Sequence, residues 1–372
     1  MIVKGCEKMN QRLQNLSIWL KENDISFAFI TSTPNVFYLS NFYSDPHERL
    51  LALVAFPEKE PILVCPQMEV LQAKQAGWDY EIIGYSDVDN PWELVSKYIN
   101  NQKVHVSQIA VEKSHLTMER YEQIHSYFPG VSFLNAEEKL RELRMIKDEK
   151  EIAILRQAAE LADFGVETGV KALAEGKTEL EIIAAIEFEL KKKGVREMSF
   201  ATMVLTGEKT AAPHGVPGLD RIKKGDFVLF DLGVVLEGYC SDITRTVAFG
   251  EVSGQQKEIY ETVLKAQIAA IHTCKPGVEI GQIDKTARTV IEQAGYGEYF
   301  THRIGHGLGI DVHEYPSMNS TNTMPLQPGM VFTIEPGIYV PAIGGVRIED
   351  DVFIKNDGVE ILTKYPKELQ II

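Results

Sequence analysis

The residues able to do chemistry are acidic side chains and histidines in the second half of the chain. Asp231 and Asp242 flank an expected β-hairpin, because Phe227 to Leu232 and Ser241 to Phe249 are apolar or β-branched runs around a Glu237-Gly238 turn signal. With the turn centred between Leu236 and Glu237, Asp231 falls opposite Asp242, and like charges on cross-strand neighbours roughly 5 Å apart repel. A pair of divalent cations about 3.5 to 4 Å apart, sharing one bridging carboxylate, would neutralise them and would be catalytic. The alternative is a pair of exposed strand aspartates. Glu335 ends the apolar run MVFTI before Pro336, and Glu349 lies in VRIEDDVFI, where alternation puts Arg347, Glu349 and Asp351 on one face. Such carboxylates are costly to bury without a cation.

Four of the nine histidines, His214, His302, His306 and His313, fall in expected loops or strand ends. His302 and His306 have helical spacing, yet Gly305, Gly307 and Gly309 argue for irregular backbone that can approach a ligand closely. Four carboxylates and one imidazole make a hard, oxygen-rich set, suited to Mn²⁺ or Co²⁺ more than to a thiolate zinc centre.

The elements that must position these residues occupy a chain of 372 residues, longer than one core usually serves, so two domains are expected. Strand-like runs SFAFI, LLALVAF, PILVC and QIAVE alternate with helices near 67–76, 92–100 and 116–127, after an amphipathic helix from Glu7 to Glu22 whose face is Met9, Leu13, Leu16 and Leu20. The first domain is therefore α/β. The charged stretch Glu137 to Lys147 carries the expected boundary, giving domains 1–140 and 141–372. Capping-box patterns at Asp148/Glu151 and Thr178/Glu181 start two long helices, the first running to Gly176 and the second stopping at Gly194. Further helices are expected over 255–273 and 280–294, before a final third rich in strands and loops.

Composition narrows the function. Against 38 basic side chains stand 53 acidic ones, a net charge of −15 that repels nucleic acid and anionic membrane surfaces. No run approaches the ~18 apolar residues of a membrane span, and MIVKGCEKMNQ turns polar before a signal-peptide core forms, so a cytoplasmic protein is expected. Cys6, Cys65, Cys240 and Cys274 form no CxxC pair and read as reduced thiols; Cys240 shares parity with Asp242 but is expected to be an inert buried thiol. Gly207-Glu208-Lys209-Thr210 lacks the upstream glycine of a phosphate-binding loop.

The ordered set Asp231, Asp242, His306, Glu335 and Glu349 resembles the five metal ligands of the pita-bread metallopeptidases. HRIGHGLGIDVHE, with PHG upstream and VRIED downstream, resembles the proline-specific branch of Xaa-Pro dipeptidases (prolidases) and Xaa-Pro aminopeptidases. The resemblance implies an α/β creatinase-like N-terminal domain and an α+β pita-bread catalytic domain. It implies two divalent ions, Mn²⁺ or Co²⁺, with Asp231 on one, Asp242 and Glu349 bridging, and His306 with Glu335 on the other. A hydroxide held between them would attack the carbonyl before proline, with Glu335 moving the proton. His302 would stabilise the oxyanion, His214 and His313 would hold substrate, Arg303 would face substrate and Arg347 would orient carboxylates. Phe200 and Tyr339 are candidate walls for the proline ring.

The ion-rich segment Ser44 to Arg49 resembles a loop of bacterial prolidases that approaches the active site across a homodimer. Arg49 could there meet the carboxylate of an Xaa-Pro dipeptide. The dipeptidase is favoured on this ground, with an Xaa-Pro aminopeptidase as the alternative.

Overall fold

A computed structural model describes residues 10–372. Cys6 and Met9, with the expected start of the first helix, lie outside the described residues. The chain divides after Arg144 into two compact units.

The first unit is built on six strands: β1 Phe27–Ile30, β2 Ala52–Ala55, β3 Ile62–Pro66, β4 Ile82–Tyr85, β5 Gln108–Val111 and β6 Ser132–Asn135. They lie in the order β4-β3-β2-β1-β5-β6, with β2 antiparallel to both neighbours and the other pairs parallel. Helix α1, Gln11–Glu22, begins where the Asn10 side chain accepts from the Leu13 amide, and it buries Leu13, Leu16 and Leu20. Helix α2, Thr33–Ser40, is too short to show a period in sequence. Its start is fixed by buried Glu112, which accepts from the Thr31 and Ser32 amides at 2.7 and 2.9 Å. Helices α3 Val70–Gln75, α4 Pro91–Asn101 and α5 Met118–Tyr127 follow. The charged stretch expected to hold the boundary is itself helical, α6 Glu137–Met145. In the 44–49 segment the Arg49 Nε donates to Asp87 Oδ1 at 2.9 Å, and a terminal nitrogen lies 3.2 Å from Glu48.

The second unit has two helix pairs, each backing its own strands. Helix α7, Glu149–Ala172, and helix α8, Glu179–Lys192, start on the expected capping boxes. The α7 helix ends at Ala172, four residues before Gly176, which sits at φ +82° in the following turn. This pair packs on strands β8 Met203–Thr206, β9 Asp226–Leu232 and β12 Ile243–Phe249, ordered β12-β9-β8, through Val166, Ile186, Phe230 and Ile243. Short strands β7 Glu197–Met198, β10 Val234–Leu236 and β11 Tyr239–Cys240 form a small sheet beside it. Gly169 lets α7 lie close to β9, since a Cβ there would meet the Phe230 ring at 2.7 Å.

Helix α9, Gly254–Thr273, and helix α10, Ile280–Gln293, back the second set: β13 Gly305–Gly307, β14 Glu314–Met318, β15 Val331–Ile334, β18 Asp350–Lys355 and β19 Gly358–Ile361. Their order is β14-β13-β15-β18-β19, while β16 Gly337–Val340 pairs with β17 Gly344–Arg347.

The hairpin register differs from the one expected. Glu237 and Gly238 both have positive φ, +48° and +83°, as the two central residues of a type I′ turn. The turn is therefore centred one residue later, Leu236 faces Tyr239, and Asp231 faces Thr244 rather than Asp242. Asp242 is a diagonal neighbour on the same face.

The VRIEDDVFI alternation is also interrupted. Residues 344–347 pair with β16 and residues 350–353 with β15, so Ile348 and Glu349 form the crossing between two sheets.

Candidate metal centre

Each acidic side chain reaches the centre from a different structural device. Asp231 lies near the end of β9, and Asp242 sits between β11 and β12, where the chain steps from one sheet to the next. Gly233 makes that step possible, because a side chain there would collide with the Ser241 carbonyl. Glu335 follows the last residue of β15, its amide donating to Ile304 O at 2.8 Å. Glu349 occupies the crossing, with its amide bonded to Thr244 O at 3.1 Å and its carboxylate accepting from Thr244 Oγ1 at 2.6 Å. His306 is the middle residue of β13, not part of a helix.

Ligand atoms of Asp242, His306 and Glu349 lie within 4.8 Å of one another, all three residues buried. His306 Nδ1 lies 3.2 Å from Gly307 O, an acceptor only, so that nitrogen carries the hydrogen in the neutral ring. The bare Nε2 then faces Asp242 Oδ2 at 3.7 Å and Glu335 Oε1 at 3.6 Å. Three electron-rich groups converge, and among the described residues no donor is bonded between them. Among the described residues, Asp242 Oδ1, Glu349 Oε1 and Asp351 Oδ1 are buried without a hydrogen-bond partner. Unmet buried acceptors on carboxylates, next to a free imidazole lone pair, are what a hard divalent cation satisfies. The residues present therefore fit a divalent metal.

The electrostatics point the same way. Burial, then the charge of Glu349, pushes Asp242 and Glu335 well above the carboxylate range. Burial and Asp231 lift Glu349 to about 7. Asp231 is raised by burial but partly held down by the Arg347 guanidinium. Burial and neighbouring His313 lower His306 to about 3, so its ring is neutral.

The surrounding cavity, about 540 Å³, is lined by these groups and by Phe200, Met203, Pro213, Val216 and Val312. Residues 153–356 match the family model of Metallopeptidase family M24, and residues 12–146 that of the Creatinase/Prolidase N-terminal domain. The chain belongs to metallopeptidase family M24. A Bacillus subtilis (strain 168) protein, YkvY, provisionally named a dipeptidase, is 58% identical over 97% of this chain and 99% of its own. Among solved structures, the prolidase from Pyrococcus horikoshii OT3 is 36% identical with a TM-score of 0.90, covering 97% of this chain and all of that one. The X-Pro aminopeptidase from Thermotoga maritima MSB8 is 33% identical with a TM-score of 0.88, covering 97% of this chain and 99% of that one. The architecture is thus the creatinase-like domain followed by the pita-bread domain of M24 enzymes, which use divalent metal ions.

Around the M24 centre, Arg347 is buried and makes three contacts: an ion pair with Asp231 Oδ2, a bond from Nε to Thr244 Oγ1 at 3.0 Å, and one from Nη1 to the Tyr339 hydroxyl at 3.1 Å. The Tyr339 hydroxyl also lies 2.8 Å from His302 Nε2, while His302 Nδ1 lies 2.8 Å from Arg303 O. Nδ1 must donate to that carbonyl, so Nε2 of the neutral ring accepts from tyrosine. Burial lowers His302 to about 4, consistent with a neutral ring. His302 lines the cavity, with its Nδ1 engaged by Arg303 O and its Nε2 by the Tyr339 hydroxyl.

His313 stands edge-on to His306, ring centroids 4.2 Å apart, and His214 is exposed on the cavity wall. Arg303 lines the cavity and donates to Ser317 Oγ at 3.1 Å. Cys240 is buried, its thiol against Ile310 O and pushed up to about 12 by burial.

Two residues escaped the sequence reading. Thr244 holds Glu349 and Arg347 together, and its two-residue spacing from Asp242 was an available signal. Buried Arg245 donates to the backbone carbonyls of Thr244 and Glu349 and pairs with Asp350 at 2.7 Å. Asp350 is in turn 2.5 Å from Lys367 Nζ and accepts from Gln267 and Thr363. A lone arginine in a strand gives no such signal.

Proposed function

We propose that this M24 enzyme hydrolyses Xaa-Pro dipeptides, using two divalent ions held by Asp231, Asp242, His306, Glu335 and Glu349. The observation that carries the reading is the convergence of the His306 Nε2 lone pair with the carboxylates of Asp242, Glu335 and Glu349. When bound, a divalent pair supplies a water acidic enough to act as a nucleophile near neutral pH and positive charge beside a developing oxyanion. Manganese is the proposed ion, given the oxygen-rich set, with cobalt as a substitute.

The chain's own groups do the rest. Glu335 Oε takes a proton from the attacking water and passes it to the proline nitrogen as the C–N bond breaks. The Tyr339 hydroxyl, fixed between Arg347 and His302, holds the Arg347 guanidinium against Asp231. His214, His313 and Arg303 bind the peptide from the cavity wall, and Phe200 faces the ring. Arg49 is the proposed partner of the dipeptide carboxylate across the homodimer, exchanging its bonds to Asp87 and Glu48 for that contact. The proposed working state is a cytoplasmic homodimer, which cell fractionation and sedimentation velocity test.

Likeness to both a prolidase and an X-Pro aminopeptidase keeps peptide length as the point to measure. Metal-stripped protein should lose hydrolysis of Ala-Pro and regain it with Mn²⁺. Full activity of stripped protein would sink the metal reading, and faster cleavage of Ala-Pro-Ala than of Ala-Pro would favour an aminopeptidase.

A further inference from the structure

The cavity wall that carries His214 is a segment with little support of its own. Among the described residues, the backbone of 213–217 makes one hydrogen bond, from Gly215 N–H to Ala212 O. Its two ends, however, converge on one side chain. Glu179, the first residue of α8, is completely buried and accepts from the Thr206 amide at 2.9 Å through Oε1. Its Oε2 accepts from the Gly218 amide at 2.7 Å and from Lys209 Nζ at 2.7 Å. Thr206 closes β8 directly before the turn Gly207–Ala211 that leads into the segment, and Gly218 follows Pro217 at its far end. Lys209 also reaches Asp220 Oδ2 at 2.7 Å, just beyond that end.

A buried carboxylate is expensive unless its lone pairs are met. An acidic side chain at the first position of α8 also suits the helix dipole, but the partners of this one lie outside the helix. The use of a charge, satisfied by two backbone amides and an ammonium from the two ends of one cavity-lining segment, marks a device for holding that segment in place. A second tether acts nearby: Thr210 Oγ1 accepts from the Gly345 amide at 2.8 Å, joining the start of the segment to β17, which carries Arg347.

We propose that Glu179 is a positioning residue for substrate binding: its carboxylate clamps both ends of residues 207–218 and so sets the place of His214 and Val216 against the peptide. It touches no reacting atom and acts through the segment. This rests on the peptidase reading for its kinetic arm only, since the clamp itself is measured without substrate.

The experiment compares wild type, Glu179→Gln and Lys209→Met by hydrogen exchange with mass spectrometry, by metal content, and by steady-state hydrolysis of Ala-Pro. In Glu179→Gln the amide Nε2 faces donors, so exchange of the bonded amides within 207–219, those of Ala212, Gly215 and Gly218, should accelerate at least tenfold while 241–249 and 331–335 keep wild-type protection. KM should rise about tenfold with kcat within twofold and metal content unchanged. Lys209→Met, altering a partly exposed partner, should shift the same readings about threefold, and it decides the matter if Glu179→Gln fails to accumulate. Unchanged exchange at 207–219, acceleration spread over the whole second unit, or a fall in kcat at constant KM would overturn the clamp. If wild type does not cleave Ala-Pro, the peptidase reading fails and the exchange arm still judges the clamp.

Discussion

Crowded carboxylates should make the metal-free protein lose stability as pH rises, opposite to ordinary acid denaturation. Glu349 moves from 4.5 to about 7 on folding, because burial and Asp231 disfavour its charge. The folded state therefore holds this proton more tightly than the unfolded state. Its contribution is fully present below 4.5 and is lost as pH climbs towards 7. At ~1.4 kcal/mol per pH unit the loss is ~3 kcal/mol. Asp242 and Glu335 shift in the same direction and add to it. For a unit of this size the loss corresponds to a fall in Tm of roughly 10 °C. The assay is scanning calorimetry of metal-stripped, dialysed protein from pH 5 to pH 8, read on the transition that responds to added Mn²⁺. Saturating Mn²⁺ should raise that transition most at pH 8, and Asp242→Asn, which removes one charge, should flatten the metal-free slope. A metal-free Tm at pH 8 equal to that at pH 5, or an unaltered slope in Asp242→Asn, would refute the electrostatic account of the site.

Other perturbations have distinct signatures. Arg347→Lys cannot serve Asp231, Thr244 and Tyr339 together, and should cost about 10- to 100-fold in metal affinity or turnover, measured by metal titration and by hydrolysis. Gly233→Ala should destabilise the second unit by ~1–3 kcal/mol or more, seen as a lower denaturation midpoint, since the new methyl meets the Ser241 carbonyl. Cys65, Cys240 and Cys274 are buried with thiols pushed up to about 12, so a thiol reagent at pH 8 should modify at most one of the four cysteines before denaturation and all four after it.

What could be read in the sequence was local or compositional. Capping boxes at Asp148/Glu151 and Thr178/Glu181 announced α7 and α8 because a cap is a contact between residues three apart. Burial cost singled out Glu335 and Glu349, and the set 231, 242, 306, 335 and 349 came together only through its resemblance to a family's ordered ligands. Register was not, since it depended on whether Glu237 would take a positive φ, which is uncommon for a residue with a side chain. Nor could alternation reveal that Arg347 and Asp350 belong to different sheets, because period two is blind to a crossing at Ile348 and Glu349. Tyr339, in the run GIYV, looks like any core tyrosine until Arg347 and His302 are seen on its hydroxyl.

Arg245 has a temporal consequence. Its guanidinium grips the carbonyl of Glu349 from one side and the carbonyl of Tyr365 from the other, and the strand that bears it is joined to Gln370 and Ile372 by backbone bonds at Ala248. Segments distant along the chain must therefore meet before the carboxylates can hold their geometry, and such non-local contacts form late. A chain extending only as far as Glu349 would have every donor but would lack Asp350, the Tyr365 carbonyl and the backbone bonds at Ala248 that hold the Arg245 strand. A cut made after Glu349 would thus disable the carboxylate cluster without removing one of its donors, by taking away what holds Arg245.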